Sequence, residues 1–156
     1  MKALFKTIDS GIEPLRRIST IFASPLLDLG IRLYMAKIFF TAGNLKLQKL
    51  LNEGWSEFIV PFQEYYPIPG VPADIAAPMA MGGELILSVL LAFGLFGRFA
   101  AAGLLIMTAV IQYLVPEEYG IQNIQHYFWM FLFAVILFKG PGKLSLDALL
   151  LNWIRK

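Results

Sequence analysis

Glu84 is the only charged residue between Asp74 and Arg98, within the run IAAPMAMGGELILSVLLAFGLFG. A carboxylate placed centrally in an apolar stretch long enough to cross a bilayer is costly, so such groups face the protein interior, find a partner, or serve a function. A protonatable buried acid is what a proton relay or a quinone-binding site would use. The structural alternative is an acid that hydrogen-bonds neighbouring helices and fixes their register. Farther along, Gln112 and His126 fall near one boundary of their own apolar segments, within ~8 Å of it at the helical rise. Histidine changes charge near neutral pH, and glutamine offers both donor and acceptor. Together they could hold a quinone carbonyl or another polar head group, with Trp129, Tyr127 and Phe128 as apolar walls. Asn44, Lys46, Glu64 and Tyr65 end at a similar level. The bland alternative for His126 is contact with interfacial water.

Two basic residues on the first apolar segment could answer Glu84. At ~1.5 Å per residue, Lys37 lies ~17 Å from Leu26 and Glu84 lies ~18 Å from Phe96, so the two come out level. Arg32, ~9 Å up the same segment, could also reach toward Glu84. Asp28 and Arg32 are four apart and share a helix face, which makes a self-satisfied pair with a snorkelling arginine the simplest reading of those two.

These residues need elements to hold them, and the composition says which solvent those elements meet. The chain is 58% hydrophobic, 14% aromatic and 15% charged, against about 25% charged in typical globular proteins. One domain of 156 residues could not hide that much apolar surface, so lipid is the expected solvent. A net charge of +2 with no basic stripe speaks against nucleic acid. The chain has no cysteine, which excludes disulfides, zinc-thiolate sites, iron–sulfur ligation and dithiol chemistry. Its single histidine excludes bis-histidine haem ligation within one chain. No covalent cofactor and no metal are expected.

Four apolar segments, about 26–43, 74–96, 99–115 and 121–138, sit near or slightly below the ~20 residues a crossing helix needs. They predict an all-α fold: a single membrane domain of four transmembrane helices in a bundle. Gly97 and Arg98 leave room only for a tight hairpin between the second and third. Residues 1–22 carry Leu4, Phe5, Ile8, Ile12, Leu15, Ile18 and Phe22 at helical spacing, opposite Lys2, Lys6, Asp9, Glu13, Arg16 and Arg17. That is the pattern of a helix lying on a membrane surface, interrupted at Gly11 and Pro14; a cleaved signal peptide fits less well, because charges persist through Arg17. Gly140-Pro141-Gly142 should end the last span. Ser145 should then cap a short amphipathic helix reaching Arg155, with Asp147 capping or pairing with Arg98.

Lysine and arginine placement sets the expected orientation. Lys2, Lys6, Arg16, Arg17, Arg98, Lys139, Lys143, Arg155 and Lys156 fall on one side, and Lys46 and Lys49 stand among acids on the other. Both termini are therefore expected in the cytoplasm, with an outer loop over 44–72. That loop is aromatic (Trp55, Phe58, Phe62, Tyr65, Tyr66), and Pro61, Pro67, Pro69 and Pro72 should keep it from forming a long helix. It would anchor in the interface or fold as a lid.

From Phe62 onward the order of residues resembles the DoxX family of small four-helix bacterial inner-membrane proteins. The resemblance is carried by Phe62, Glu64, Tyr65, Pro69, Pro72, Ala76–Ala77, Glu84–Leu85, Gly94–Leu95, Arg98, Ala100–Ala101, Met107–Thr108 and Val110–Ile111–Gln112. Pro116, His126 with Trp129, and Gly140-Pro141-Gly142-Lys143-Leu144-Ser145-Leu146-Asp147 continue it. Arg32, Phe39, Gly43 and Lys46 match the first helix more loosely, and Lys37 departs from it. The resemblance implies a bacterial inner-membrane location and an association with quinone-linked redox systems; without cysteine the thiol chemistry of the wider superfamily does not transfer.

The expectation is a membrane subunit or accessory protein of such a system, binding a lipid-soluble small molecule near the outer leaflet, with a quinone as the candidate. Glu84, His126, Gln112, Arg32, Lys46 and Glu64 are the candidate ligand-binding or proton-relay residues. A redox partner protein is expected, and the small faces at Ala73, Ala77 and Ala76, Ala80 could support either packing within the chain or a homo-oligomer. The alternative from another class is a non-catalytic scaffold whose aromatic loop docks a partner. A small transporter is disfavoured, because four spans without a repeat would need to oligomerise.

Overall fold

The structure, a computed structural model, describes residues 11–155. The readings placed on Lys2, Leu4, Phe5, Lys6, Ile8, Asp9 and Lys156 lie outside the described residues. Among those described, all regular structure is helical and there is no strand. Helix α1 covers residues 11–18 and runs without a break at Pro14 into a π-helical turn, Ser19–Ala23, and on into α2, Ser24–Glu64. The expected interruption at Pro14 is therefore replaced by a widened turn just ahead of Pro25, whose missing N–H and bulky ring an ordinary turn accommodates poorly; the one expected at Gly11 adjoins residues outside those described.

Helix α3 spans Ala73–Phe93, α4 Gly97–Tyr113, α5 Ile124–Lys139 and α6 Leu146–Ile154, with a 3-10 turn at Glu117–Tyr119. Helices α2 and α3 pack on each other, α3 on α4, α4 on α5, and α5 back on α2. Gly11–Glu64 and Ala73–Phe93 are long and apolar enough to cross a membrane, whereas Gly97–Tyr113 and Ile124–Lys139 are shorter apolar helices. Large apolar side chains such as Ile86, Phe93, Ile106 and Phe138 stand exposed on the outward faces, which for this much surface calls for a lipid or protein neighbour.

Helix α2 does not stop near Gly43. It continues through residues 44–53, where leucines are interspersed with polar and charged side chains, breaks at Gly54 (φ 85°, ψ 178°), and resumes to Glu64 with Pro61 inside it. Most of the segment read as an outer loop is thus helical. Phe58 and Phe62 explain why it pays to order it: both are buried, packing on Ala76 and Ala77 of α3. Apolar burial there outweighs the hydrogen bond that Pro61 forfeits.

Gly43 fixes how α2 meets α3. A Cβ at that position would lie 2.9 Å from Glu84 Cβ and from Leu85 Cγ, so the missing side chain lets the two helices touch at the level of Glu84. Below this contact a core forms from Met35, Phe39, Leu91, Leu104 and Phe133. Phe39 stands edge-on to both Trp129 (5.7 Å) and Phe133 (5.2 Å).

At the opposite end from Phe62, the α3–α4 hairpin turns through Gly94 and Phe96, both left-handed (φ 64° and 49°). Asp147, the second residue of α6, holds it: its carboxylate accepts the Phe96 N–H at 2.8 Å and the Gly97 N–H at 2.9 Å. The expected Arg98 pairing is not formed, and the capping alternative is. Gly140 ends α5 (φ 95°), and Ser145 caps α6 by accepting the Ala148 N–H at 3.2 Å. Asp147→Ala should cost about 0.5–2 kcal/mol, the range for a lost helix cap. Detergent-solubilised protein should show this as a lowered Tm, with the helical content of the folded state retained.

Candidate functional site

Glu84 is buried and finds its partner in Lys46. The ammonium donates to both carboxylate oxygens, at 2.9 Å to Oε1 and 2.8 Å to Oε2. The pairings anticipated with Lys37 or Arg32 are not made. Lys37 is exposed, and Arg32 sits at the hairpin end, against Gly94. The reason is register. Gly43, not Lys37, is level with Glu84, because α2 overhangs the end of α3 at the hairpin side. Lys46 then stands one turn above Gly43 on a helix that has not ended.

The pair forms part of the wall of a cavity of about 720 Å³. Phe62, Tyr66 and Ile68 close it on one side, with Ala76, Ala80 and Leu87 of α3 and Gly103, Met107 and Ile111 of α4 around it. Its lining also includes Met79, Ile106 and Leu114, which are exposed on the outer surface of the helices. The cavity thus reaches the apolar flank of the protein. Its volume lies in the range of small-molecule pockets, and apolar walls with a few polar groups are their usual make-up.

His126 lines the same cavity. Gln112 is buried just behind it, its Oε1 2.8 Å from His126 Nδ1 and 3.2 Å from the Asn123 backbone nitrogen. An amide N–H can only donate, so Asn123 identifies that atom as the carbonyl oxygen, and Nδ1 must then be the protonated ring nitrogen. The neutral imidazole is left with Nε2 as a bare acceptor. Gln112 Nε2 faces Tyr127 Oη at 3.3 Å. Gln112 therefore orients the histidine and does not itself line the cavity.

Tyr66 adds a phenol that sequence reasoning placed only in an aromatic loop. Burial, reinforced by the charge of Glu84, pushes it up to about 12. It stays a neutral hydroxyl at physiological pH. As the ordinary value is 10.0, the unfolded chain ionises first. Tyr66 should therefore contribute stability that is fully present below pH 10 and is lost as pH rises toward about 12. A Tyr66→Phe variant should flatten that part of a Tm-against-pH curve.

The other candidates lie elsewhere. Glu64 is exposed and outside the cavity lining. Tyr127 and Phe128 are exposed, and Trp129 packs on Phe39 and His126, so none forms the expected walls. Arg32 is buried at the hairpin end and donates to Leu144 O at 2.7 Å. The Asp28–Arg32 pair is not formed, since Asp28 instead binds Lys139 at 2.6 Å. Among the described residues, no three His, Asp or Glu side chains converge as a metal site would require. The lining residues Met107 and Gly103 carried no signal beyond apolar helix; Tyr66 could have been found from its place between Phe62 and the proline run.

The DoxX family model matches residues 27–117. This chain belongs to the DoxX family. As a DoxX protein it comes from a membrane-associated family, and its apolar helices agree with that. The matched region contains Lys46, Glu84, Tyr66 and Gln112, and it ends before His126. A Haemophilus influenzae relative, described as an uncharacterized protein, is 33% identical over 127 residues, covering 77% of this chain and 80% of its own. No solved structure matches this DoxX chain.

Proposed function

We propose that this protein crosses a bacterial inner membrane with α2, α3, α4 and α5, both termini in the cytoplasm. It serves as the membrane subunit or accessory of a quinone-linked redox system, holding the quinone in the cavity between α3 and α4. The observation that carries this reading is a charged pair set in an otherwise apolar cavity that reaches the lipid-facing flank. The match to a quinone is chemical. The ring needs an apolar slot, a carbonyl needs a donor, and a reduced hydroxyl needs an acceptor. The Lys46 ammonium spends two N–H groups on Glu84 and has a third to give. His126 Nε2 supplies the acceptor, and the Tyr66 hydroxyl can act either way.

The orientation rests on the lysines and arginines gathered at the hairpin end, where Arg98, Lys139 and Lys143 line one cleft. Phe58 and Phe62 of the aromatic segment pack inward and close the protein, while Trp55 and Tyr65 stay exposed, so only part of that segment could serve as the docking surface of a scaffold. In this role the residues bind and orient the head group and can exchange its proton; the electrons belong to a partner protein. Titrating detergent-solubilised protein with a short-chain benzoquinone or naphthoquinone should quench tryptophan fluorescence saturably, and His126→Ala should weaken binding about tenfold. Quenching that rises linearly, as by partition into micelles alone, would sink the proposal.

A further inference from the structure

A second cavity, of about 640 Å³, lies at the hairpin end between α4, the α5–α6 turn and α6. Five ionisable side chains line it: Asp28, Arg98, Lys139, Lys143 and Asp147. The two acids are already engaged. Asp28 is bound to Lys139 at 2.6 Å, and Asp147 accepts the Phe96 and Gly97 N–H groups. Among the described residues Arg98 and Lys143 have no such counter-charge, and both are exposed. The Arg98 guanidinium is held over Gly140, whose absent Cβ would meet Nη2 at 3.4 Å. One side of the cleft therefore carries two unneutralised cations. The other side is greasy and bare: Phe99, Leu150, Leu151 and Ile154 line it and are all exposed. Helix α6 buries none of its residues against the rest of the chain.

From this juxtaposition we infer that the cleft binds an anionic phospholipid, its phosphate between Arg98 and Lys143 and an acyl chain along Phe99 and α6. Cations beside an apolar wall at a membrane boundary suit a lipid of this kind, because one molecule satisfies both surfaces. A free phosphate would satisfy the cations alone. The site is separate from the outer cavity and does not depend on what that cavity holds.

Native mass spectrometry of the full chain, from micelles holding equal phosphatidylglycerol and phosphatidylcholine of matched acyl chains, tests this. The wild-type protein should retain the anionic lipid about tenfold in excess. Arg98→Gln with Lys143→Gln should bring the ratio close to parity, and Arg98→Lys with Lys143→Arg should preserve it. Parity in the wild type, or an excess unchanged by the double glutamine variant, overturns the inference. Displacement of the lipid by inorganic phosphate as effective as displacement by phosphatidylglycerol overturns the lipid assignment. Should the glutamine variant fail to fold, the wild-type ratio and the phosphate competition still decide.

Discussion

Replacing Lys46 with methionine should destabilise the protein by about 3–5 kcal/mol, the cost of leaving one member of a buried ion pair unpartnered. Glu84 has its carboxylate buried and receives both of its side-chain hydrogen bonds from that one ammonium. No other basic side chain forms an ion pair with it among the described residues. Changing both partners to apolar residues of similar volume, Lys46→Met with Glu84→Leu, should restore most of the loss, because the desolvation cost of both charges disappears with the pair. Unfolding of purified protein in a denaturing detergent series would measure the cycle. A structural lock alone predicts that the double variant is as good as the wild type in every respect. The binding account predicts a stable double variant that no longer retains ligand, and that split separates the two roles first weighed for Glu84.

The second large effect concerns the cavity volume. Ala80→Phe places a ring among Phe62, Met107 and the Lys46–Glu84 pair, and should weaken quinone binding by at least about tenfold, or 1.4 kcal/mol. Ile86→Phe puts the same ring on α3, but at a position that is exposed and outside the cavity lining. It should leave binding unchanged. Equal loss in both variants would mean that the effect comes from perturbing α3 and not from filling the site.

Much of this arrangement could be read from residue types. Glu84 announces itself as the one charge between Asp74 and Arg98. The Gly140-Pro141-Gly142 stop and the Ser145 cap follow from backbone chemistry alone. What could not be read was register and rotation. The near-continuous apolar run ends at Gly43, where polar and charged residues begin to alternate with leucines, but a helix ends only where its backbone bonds do, and α2 keeps its helical backbone up to Gly54. The sequence pattern therefore puts Lys46 at the boundary of its segment, whereas in the structure it stands level with the Glu84 carboxylate and pairs with it. Tyr127 and Phe128 adjoin His126 in sequence yet point to other sides of α5, since neighbouring residues on a helix face different directions. Asp147 reaches the Phe96 turn across a separation that only the tertiary fold closes.

The central claim is that the cavity lined by Lys46 and Glu84 holds a lipid-soluble molecule of the quinone class. Its most direct test is chemical analysis of lipid extracted from protein purified gently out of its own membrane. The account predicts quinone at close to one molecule per chain, well above its proportion in the surrounding lipid, and falling to that proportion in the Ala80→Phe variant. Quinone no more abundant beside the protein than in the bulk membrane, and unchanged by Ala80→Phe, would contradict it.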